Sequence, residues 1–293
     1  MSDILITVFT PTFNRAATLS RLWESLKKQS SYQFEWIVVD DGSNDNTEQI
    51  IRDLIKRTTE FTIKYKKKEN GGKHRAINYG VTIAVGELFF IVDSDDWLPE
   101  DAILNIISYY KPIRGNAIYA GVAGCKFDSR EKMSGITFQG EYIDATSLER
   151  NKYGIKGEKA EVFLTEILKR YPFPEFDKEN FLSEAIVWNK IAFEGYKLRW
   201  FNRNIYYYEY QEDGLTNNLR ENYRKNPKGY LTYIYNEMQY FKIKGIKKYI
   251  WCGRCIKTVG GTFSRKKSQE ILRINYFEYV LSNVFYKLYS IVR

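Results

Sequence analysis

The chain has 293 residues, enough to bury a core in one large domain or a domain with an appendage. Hydrophobic residues make up 44% and aromatic residues 16%, which excludes a disordered chain, and 3 cysteines with 1 histidine exclude a disulfide framework and a Cys/His zinc set. The formal charge of +9 is uneven: residues 218–293 carry 16 Lys and Arg against 4 Asp and Glu, so the basicity belongs to the tail.

The first half alternates strand and helix patterns. "ILITVF" (Ile4–Phe9) reads as a strand, and "AATLSRLWESLKKQ" as a helix with Leu19, Leu22, Trp23 and Leu26 on one face. "FEWIVVD" is the next strand. "NTEQIIRDLIKR" follows as a helix with Ile50, Ile51, Leu54 and Ile55 inward, then "FTIKYKKK" as strand, "HRAINYGVTIAV" as helix and "LFFIVD" as strand. The alternation predicts an α/β fold: a single Rossmann-like, mostly parallel sheet with helices on both faces. The predicted sheet domain spans 1–217, and a basic, aromatic helical region spans 218–293.

In such sheets ligands bind beyond the carboxyl ends of the strands. Four loops rich in unusual residues fall there: Pro11-Thr12-Phe13-Asn14, Asp40-Asp41-Gly42-Ser43, Asn70-Gly71-Gly72-Lys73-His74, and Asp93-Ser94-Asp95-Asp96. Each has a plain structural alternative. Asp96 suits a helix cap before Pro99-Glu100-Asp101, Ser43, Asn44 or Asp45 suits another, and the glycine pair suits a turn. A single cap leaves Asp93 and Asp95 unexplained, and like charges so close call for a cation between them. Gly71 and Gly72 suit close approach of a diphosphate to backbone N–H groups, with Lys73 as a point charge. The phosphate loop of ATPases is missing, as is the GxGxxG that a dinucleotide oxidoreductase needs after its first strand.

In order and spacing, "TPTFNR", "DDGSNDNT", "NGGKHRAINYG" and the DxD-type "DSDDWLP" resemble family 2 glycosyltransferases with the GT-A fold, over roughly residues 3–215. The resemblance implies that Pro11, Thr12 and Phe13 line a base pocket, Asp41 accepts from the base with Asp40 beside it, Lys73 lies near the diphosphate, Asp93 with Ser94 meets the ribose side of the donor, and Asp95 holds Mn2+ or Mg2+. It implies an inverting transfer from a nucleotide-diphosphate sugar, UDP-linked, to a hydroxyl of a surface polysaccharide or lipid-linked glycan. The family's catalytic carboxylate closes a Glu-Asp pair that opens a helix. Here Ser183-Glu184 stands in that place, so Glu184 is the expected base and Glu179 its competitor. The family's late histidine ligand is absent, and Glu212 or Asp213 falls in the corresponding loop. A non-catalytic subunit that binds nucleotide sugar is the remaining alternative.

The tail reads as basic helices. Cys252-Gly-Arg-Cys255 there is a lone CxxC, read as small helical residues. Phe277, Val280, Leu281, Val284, Leu288 and Ile291 form an apolar helical face. Two compatible readings follow: a cap on the catalytic domain, or a polybasic amphipathic surface on an anionic membrane leaflet. Nucleic acid is not an expected partner, because no recognised module is present. The amino-terminal stretch lacks a basic signal region and no run is long enough to span a bilayer, so the expected location is the cytoplasm, with peripheral contact at the inner face of the membrane. Oligomeric state is not legible.

Overall fold

In a computed structural model, which describes residues 4–209 and 218–292, the first seven elements alternate as the pattern predicts. They are β1 (Ile6–Thr12), α1 (Ala16–Lys27), β2 (Phe34–Asp40), α2 (Thr47–Arg57), β3 (Thr62–Lys67), α3 (Lys73–Ile83) and β4 (Leu88–Ile91). Then come α4 (Ala102–Tyr110), β5 (Tyr119–Asp128), β6 (Tyr142–Ala145), β7 (Lys159–Leu164), α5 (Thr165–Arg170), α6 (Ala185–Phe193) and β8 (Lys197–Tyr208). Five helices follow: α7 (Leu219–Lys225), α8 (Pro227–Tyr240), α9 (Gly245–Val259), α10 (Arg265–Leu272) and α11 (Tyr276–Val292).

The eight strands form one sheet in the order β3-β2-β1-β4-β7-β5-β8-β6. β1 to β4 are mutually parallel, whereas β7 runs antiparallel to both β4 and β5, and β6 antiparallel to β8. β1 and β2 are buried along their whole length, as expected of strands covered on both faces. Leu19, Leu22, Trp23 and Leu26 all enter the core. α2 is rotated from its predicted face: Ile51 and Leu54 are buried together with Thr47, while Ile55 stands exposed.

β1 outlasts its predicted end. It continues through Pro11 and Thr12, paired with Val39 and Asp40 of β2. Proline lacks a donor and is tolerated where one side of a strand is unpaired. That condition is met here, because the ladder between β4 and β1 ends at Phe9 and Ile91. On the other side of the sheet, Gly80 of α3 packs against Phe9 so closely that an added Cβ would lie 2.1 Å from the ring. This contact holds α3, and hence Lys73 at its start, against the strand that carries Thr12.

The chain divides into two compact units. One contains the sheet, reaching to Pro172 and resuming at Ile191 through β8; the other contains Phe173–Lys190 with α7 to α11. The helical unit thus takes in Phe173–Lys190 as well as the region after residue 217. The reason lies in the start of α8, where Glu179 accepts hydrogen bonds from Lys228 N and Gly229 N, both at 2.8 Å, and buried Asn226 accepts from Asn180 N and Phe181 N at 2.8 and 3.0 Å. Cys252 and Cys255 are free and buried, with burial raising both thiols. Between them Gly253 approaches the Ser282 backbone, where a Cβ would meet the carbonyl oxygen at 2.1 Å. Small residues at this position let α9 and α11 pack closely. Among the described residues no helix is long and apolar enough to cross a membrane.

Candidate active site

The carboxyl ends of β1, β2 and β4 bring three of the four loops together, and the loop after β3 joins them through hydrogen bonds. The loops after β1 and β2 interlock. Asn14, at a positive φ of 52°, donates its N–H to Ser43 Oγ at 2.8 Å and accepts from Asn44 N through Oδ1 at 2.9 Å. Asp45 accepts from Ala16 N at 3.1 Å and from Thr47 N at 3.0 Å, so one carboxylate serves the first turns of both α1 and α2.

The paired aspartates after β2 have different neighbours. Asp40 is fully buried, and its two oxygens accept from Ser43 N and Tyr65 OH, both at 2.7 Å. Burial and this carboxylate push the Tyr65 phenol far above its ordinary range. Asp41 faces the loop after β3: Oδ1 accepts from Lys68 Nζ at 2.7 Å and Gly71 N at 3.0 Å, and Oδ2 accepts from Gly72 N at 2.6 Å. The glycine N–H groups expected at a diphosphate are therefore engaged by Asp41. Gly72 has φ of 95°, a left-handed conformation that glycine adopts without strain.

The aspartates after β4 divide similarly. Asp93 Oδ1 lies 2.6 Å from Lys73 Nζ. Burial opposes its charge, yet Lys73, Lys126 and Arg15 together hold its carboxyl below the usual range. Asp95 is held less tightly, with Oδ2 3.8 Å from Arg15 Nε, and burial together with the Asp93 charge raises its carboxyl. Asp96 does not cap α4. It is buried and accepts from Tyr206 OH at 2.6 Å, while that same hydroxyl accepts from Asp93 N at 3.0 Å. Burial and the Asp93 charge push the Asp96 carboxyl up to about 7. Ser94 is buried, and its carbonyl accepts from Thr18 Oγ1 at 2.7 Å.

Further residues build the site without a local sequence signal. Arg21 donates to Asp95 O at 2.5 Å and to Glu209 at 2.6 Å, and its guanidinium lies 4.2 Å over Trp97, which stacks on Tyr207 at 5.5 Å. Lys126 of β5 sits 4.1 Å over the Tyr206 ring. Of the expected base pocket, Pro11 and Thr12 are buried within β1, whereas Phe13 is 45% exposed. Among the described residues no three His, Cys, Asp or Glu side chains are grouped to hold a metal ion alone. A Mg2+-like ion is ordinarily held by one or two carboxylates and substrate phosphates. Asp95, whose carboxyl is raised by burial and then by the Asp93 charge, the second of which a cation would offset, fits that donor set.

Glu184 lies in the other unit, half-buried, with its carbonyl accepting from Val187 N and Trp188 N as the chain enters α6. Glu179 is the cap of α8 described above. Glu212 and Asp213 lie outside the described residues. A separate cavity of about 400 Å³, lined by Glu87, Tyr110 and Tyr119 among others, opens at the amino ends of β4 and β5, away from the aspartates.

A β-1,3-glucosyltransferase of Campylobacter jejuni, named for the acceptor GalNAc(5)-diNAcBac-PP-undecaprenol, is 27% identical over 255 residues, 83% of this chain and 78% of that protein. Glycosyltransferase GlyA of Streptococcus pneumoniae, 26% identical over 224 residues, is longer: the match covers 73% of this chain and 32% of that protein. Among solved structures, S. aureus TarS 1–349 in complex with UDP-GlcNAc superposes with a TM-score of 0.62 at 19% identity, covering 96% of this chain and 89% of that one. GalNAc-T7 with UDP, GalNAc and Mn2+ does so with a TM-score of 0.58 at 16% identity, covering 98% and 57%. These neighbours share the GT-A fold. The Glycosyl transferase family 2 profile matches residues 7–172, the stretch that contains all four strand-end loops, and by that match over more than half its length the chain belongs to glycosyl transferase family 2.

Proposed function

We propose that the chain transfers a sugar, with inversion, from a UDP-linked donor to a hydroxyl of a cell-surface polysaccharide or lipid-linked glycan. It works in the cytoplasm at the inner face of the membrane. The observation that carries this reading is the meeting of Asp41, Asp93 and Asp95 beyond the carboxyl ends of β2 and β4, with Lys73 and Arg15 among them. Support comes from the UDP-GlcNAc and the UDP with Mn2+ bound by structural neighbours, and from the undecaprenol-linked acceptor in the name of one relative.

In this reading the base stacks at the end of β1 near Pro11, Thr12 and Phe13. Asp41 accepts from the base, and Asp40 acts behind it by fixing the Ser43 turn. Asp93, with Ser94 beside it, faces the ribose, and Lys73 reaches the diphosphate from the start of α3. Mn2+ or Mg2+ held by Asp95 and the diphosphate oxygens would neutralise charge on the departing nucleoside diphosphate. Glu184 takes the proton of the acceptor hydroxyl. The acceptor oxygen forms its bond to the anomeric carbon as the bond to the phosphate oxygen breaks, and the nucleoside diphosphate leaves with that electron pair. Glu184 is preferred to Glu179 because the latter's carboxylate already caps α8.

The test is a screen of UDP-, GDP- and dTDP-sugars for hydrolysis or transfer, with Mn2+ and with chelator. Turnover of a UDP-sugar that chelator abolishes is expected. Turnover confined to another nucleotide, or unchanged by chelator, rejects the donor or the metal assignment.

A further inference from the structure

Helix α11 has two faces with opposite fates. Its inner face packs on α9: Ser282 is fully buried beside Gly253, Tyr249 stacks on Phe285 at 5.7 Å, and Lys248 pairs with Glu278 at 2.7 Å. At about 3.6 residues per turn, Phe277, Val280, Val284, Leu288 and Ile291 fall in one stripe opposite Ser282. Their exposures of 68%, 40%, 48%, 56% and 72% show that the stripe faces outward within this unit.

The charge around this stripe is one-sided. Lys244, Lys247, Lys257, Arg273 and Lys287 are exposed on α9, α11 and the segments leading into them. Of the four acids in residues 218–293 three are otherwise engaged: Glu237 is buried against Asn189 at 2.7 Å, Glu221 pairs with Arg224 at 2.8 Å, and Glu278 pairs with Lys248, which leaves Glu270 exposed on α10. An apolar helical stripe flanked by lysines and too short to span a bilayer matches an element that lies in the membrane interface. A second copy is a poor occupant, because it would set two strongly cationic units against each other.

We infer that α11 docks this chain on an anionic membrane surface, its outward stripe entering the headgroup region while the flanking lysines and arginines meet acidic lipid headgroups. The inference rests on the proposed location at the membrane and names the surface responsible. Each Lys or Arg near such a leaflet adds favourable attraction, so binding falls with salt.

The test is flotation of the full chain with phosphatidylcholine vesicles, with and without phosphatidylglycerol. The parent is expected to float with the anionic vesicles only and to be released by salt. Val284→Glu with Leu288→Glu should lower partitioning at least about tenfold, and Lys287→Glu should lower it less. Leu104→Glu, an exposed apolar position on α4, should leave it unchanged. UDP affinity should be the same in every variant. Equal partitioning of the parent and the double variant overturns the assignment to α11 while leaving membrane location standing. No flotation of the parent overturns both. A dimer of the parent that the double variant dissociates would show that a second copy covers the stripe, and also overturns the assignment.

Discussion

The strand-end crevice and the α9–α11 pair bury opposite kinds of residue. In the crevice, charged groups are drawn inward and matched: Asp41 with Lys68 and two glycine N–H groups, Asp93 with Lys73, Asp96 with Tyr206. In the helix pair, Gly253 and Ser282 make the close approach beside the Tyr249–Phe285 stack, while a second set of apolar side chains on α11 turns to solvent. The crevice pairings hold its carboxylates in place through contacts within the chain, as a costly buried polar network requires, while Thr12 Oγ1 is buried there without a hydrogen-bond partner. An outward apolar stripe gains its stability only when something covers it.

The sharpest way to separate the two regions is to remove chemistry without disturbing packing. Glu184→Gln should lower transfer by ~10²–10⁴-fold, the usual contribution of a positioned general base, with donor affinity retained. Steady-state kinetics beside a UDP titration checks this; near-parental turnover would exclude Glu184 as the base. Asp41→Ala should weaken UDP binding by roughly tenfold to a hundredfold, because it removes a charged acceptor and frees the loop that it holds. Unchanged affinity by calorimetry would remove Asp41 from the site.

Smaller effects fall on stability. Tyr206→Phe deletes the hydroxyl shared by Asp93 N and Asp96, and should cost about 1–3 kcal/mol in denaturant unfolding. Glu179→Ala should cost about 1 kcal/mol by uncapping α8, while kcat per folded molecule stays near parental. A large loss of kcat in that variant would move the base to Glu179. The smallest effect is expected for Val284→Glu, within about 0.5 kcal/mol of parent because its side chain faces outward.

Much of the sheet half was legible because parallel, covered strands leave continuous apolar runs, as in "FEWIVVD" and "LFFIVD". The end of β1 was not legible, since Pro11 reads as a break unless one knows that β4 has already stopped pairing. The aspartate loops could be located from spacing, but not the division of labour within them. Asp40 and Asp41 look alike in sequence, and only the positions of Tyr65, Lys68 and the glycine turn give them different partners, Asp40 holding the Ser43 turn and Asp41 the loop after β3. Lys126 and Tyr206 reach Asp93 and Asp96 from strands far along the chain, where no local pattern marks them. Glu179 was ambiguous for the same reason. Its role depends on Lys228 and Gly229, which are distant in sequence.

In the proposed function Asp95 and its neighbours at the carboxyl ends of the strands form a metal-assisted nucleotide-sugar site. Calorimetric titration of UDP into the parent and into Asp95→Asn, each with Mn2+ and with chelator, tests it most directly. The parent should bind UDP with Mn2+ at least roughly a hundredfold more tightly than without, as expected for several kcal/mol of charge neutralisation. Asp95→Asn should bind with the weaker, metal-independent affinity while keeping the parent's unfolding midpoint. Equal dependence on Mn2+ in the two proteins, or none in the parent, would rule out a metal site at Asp95.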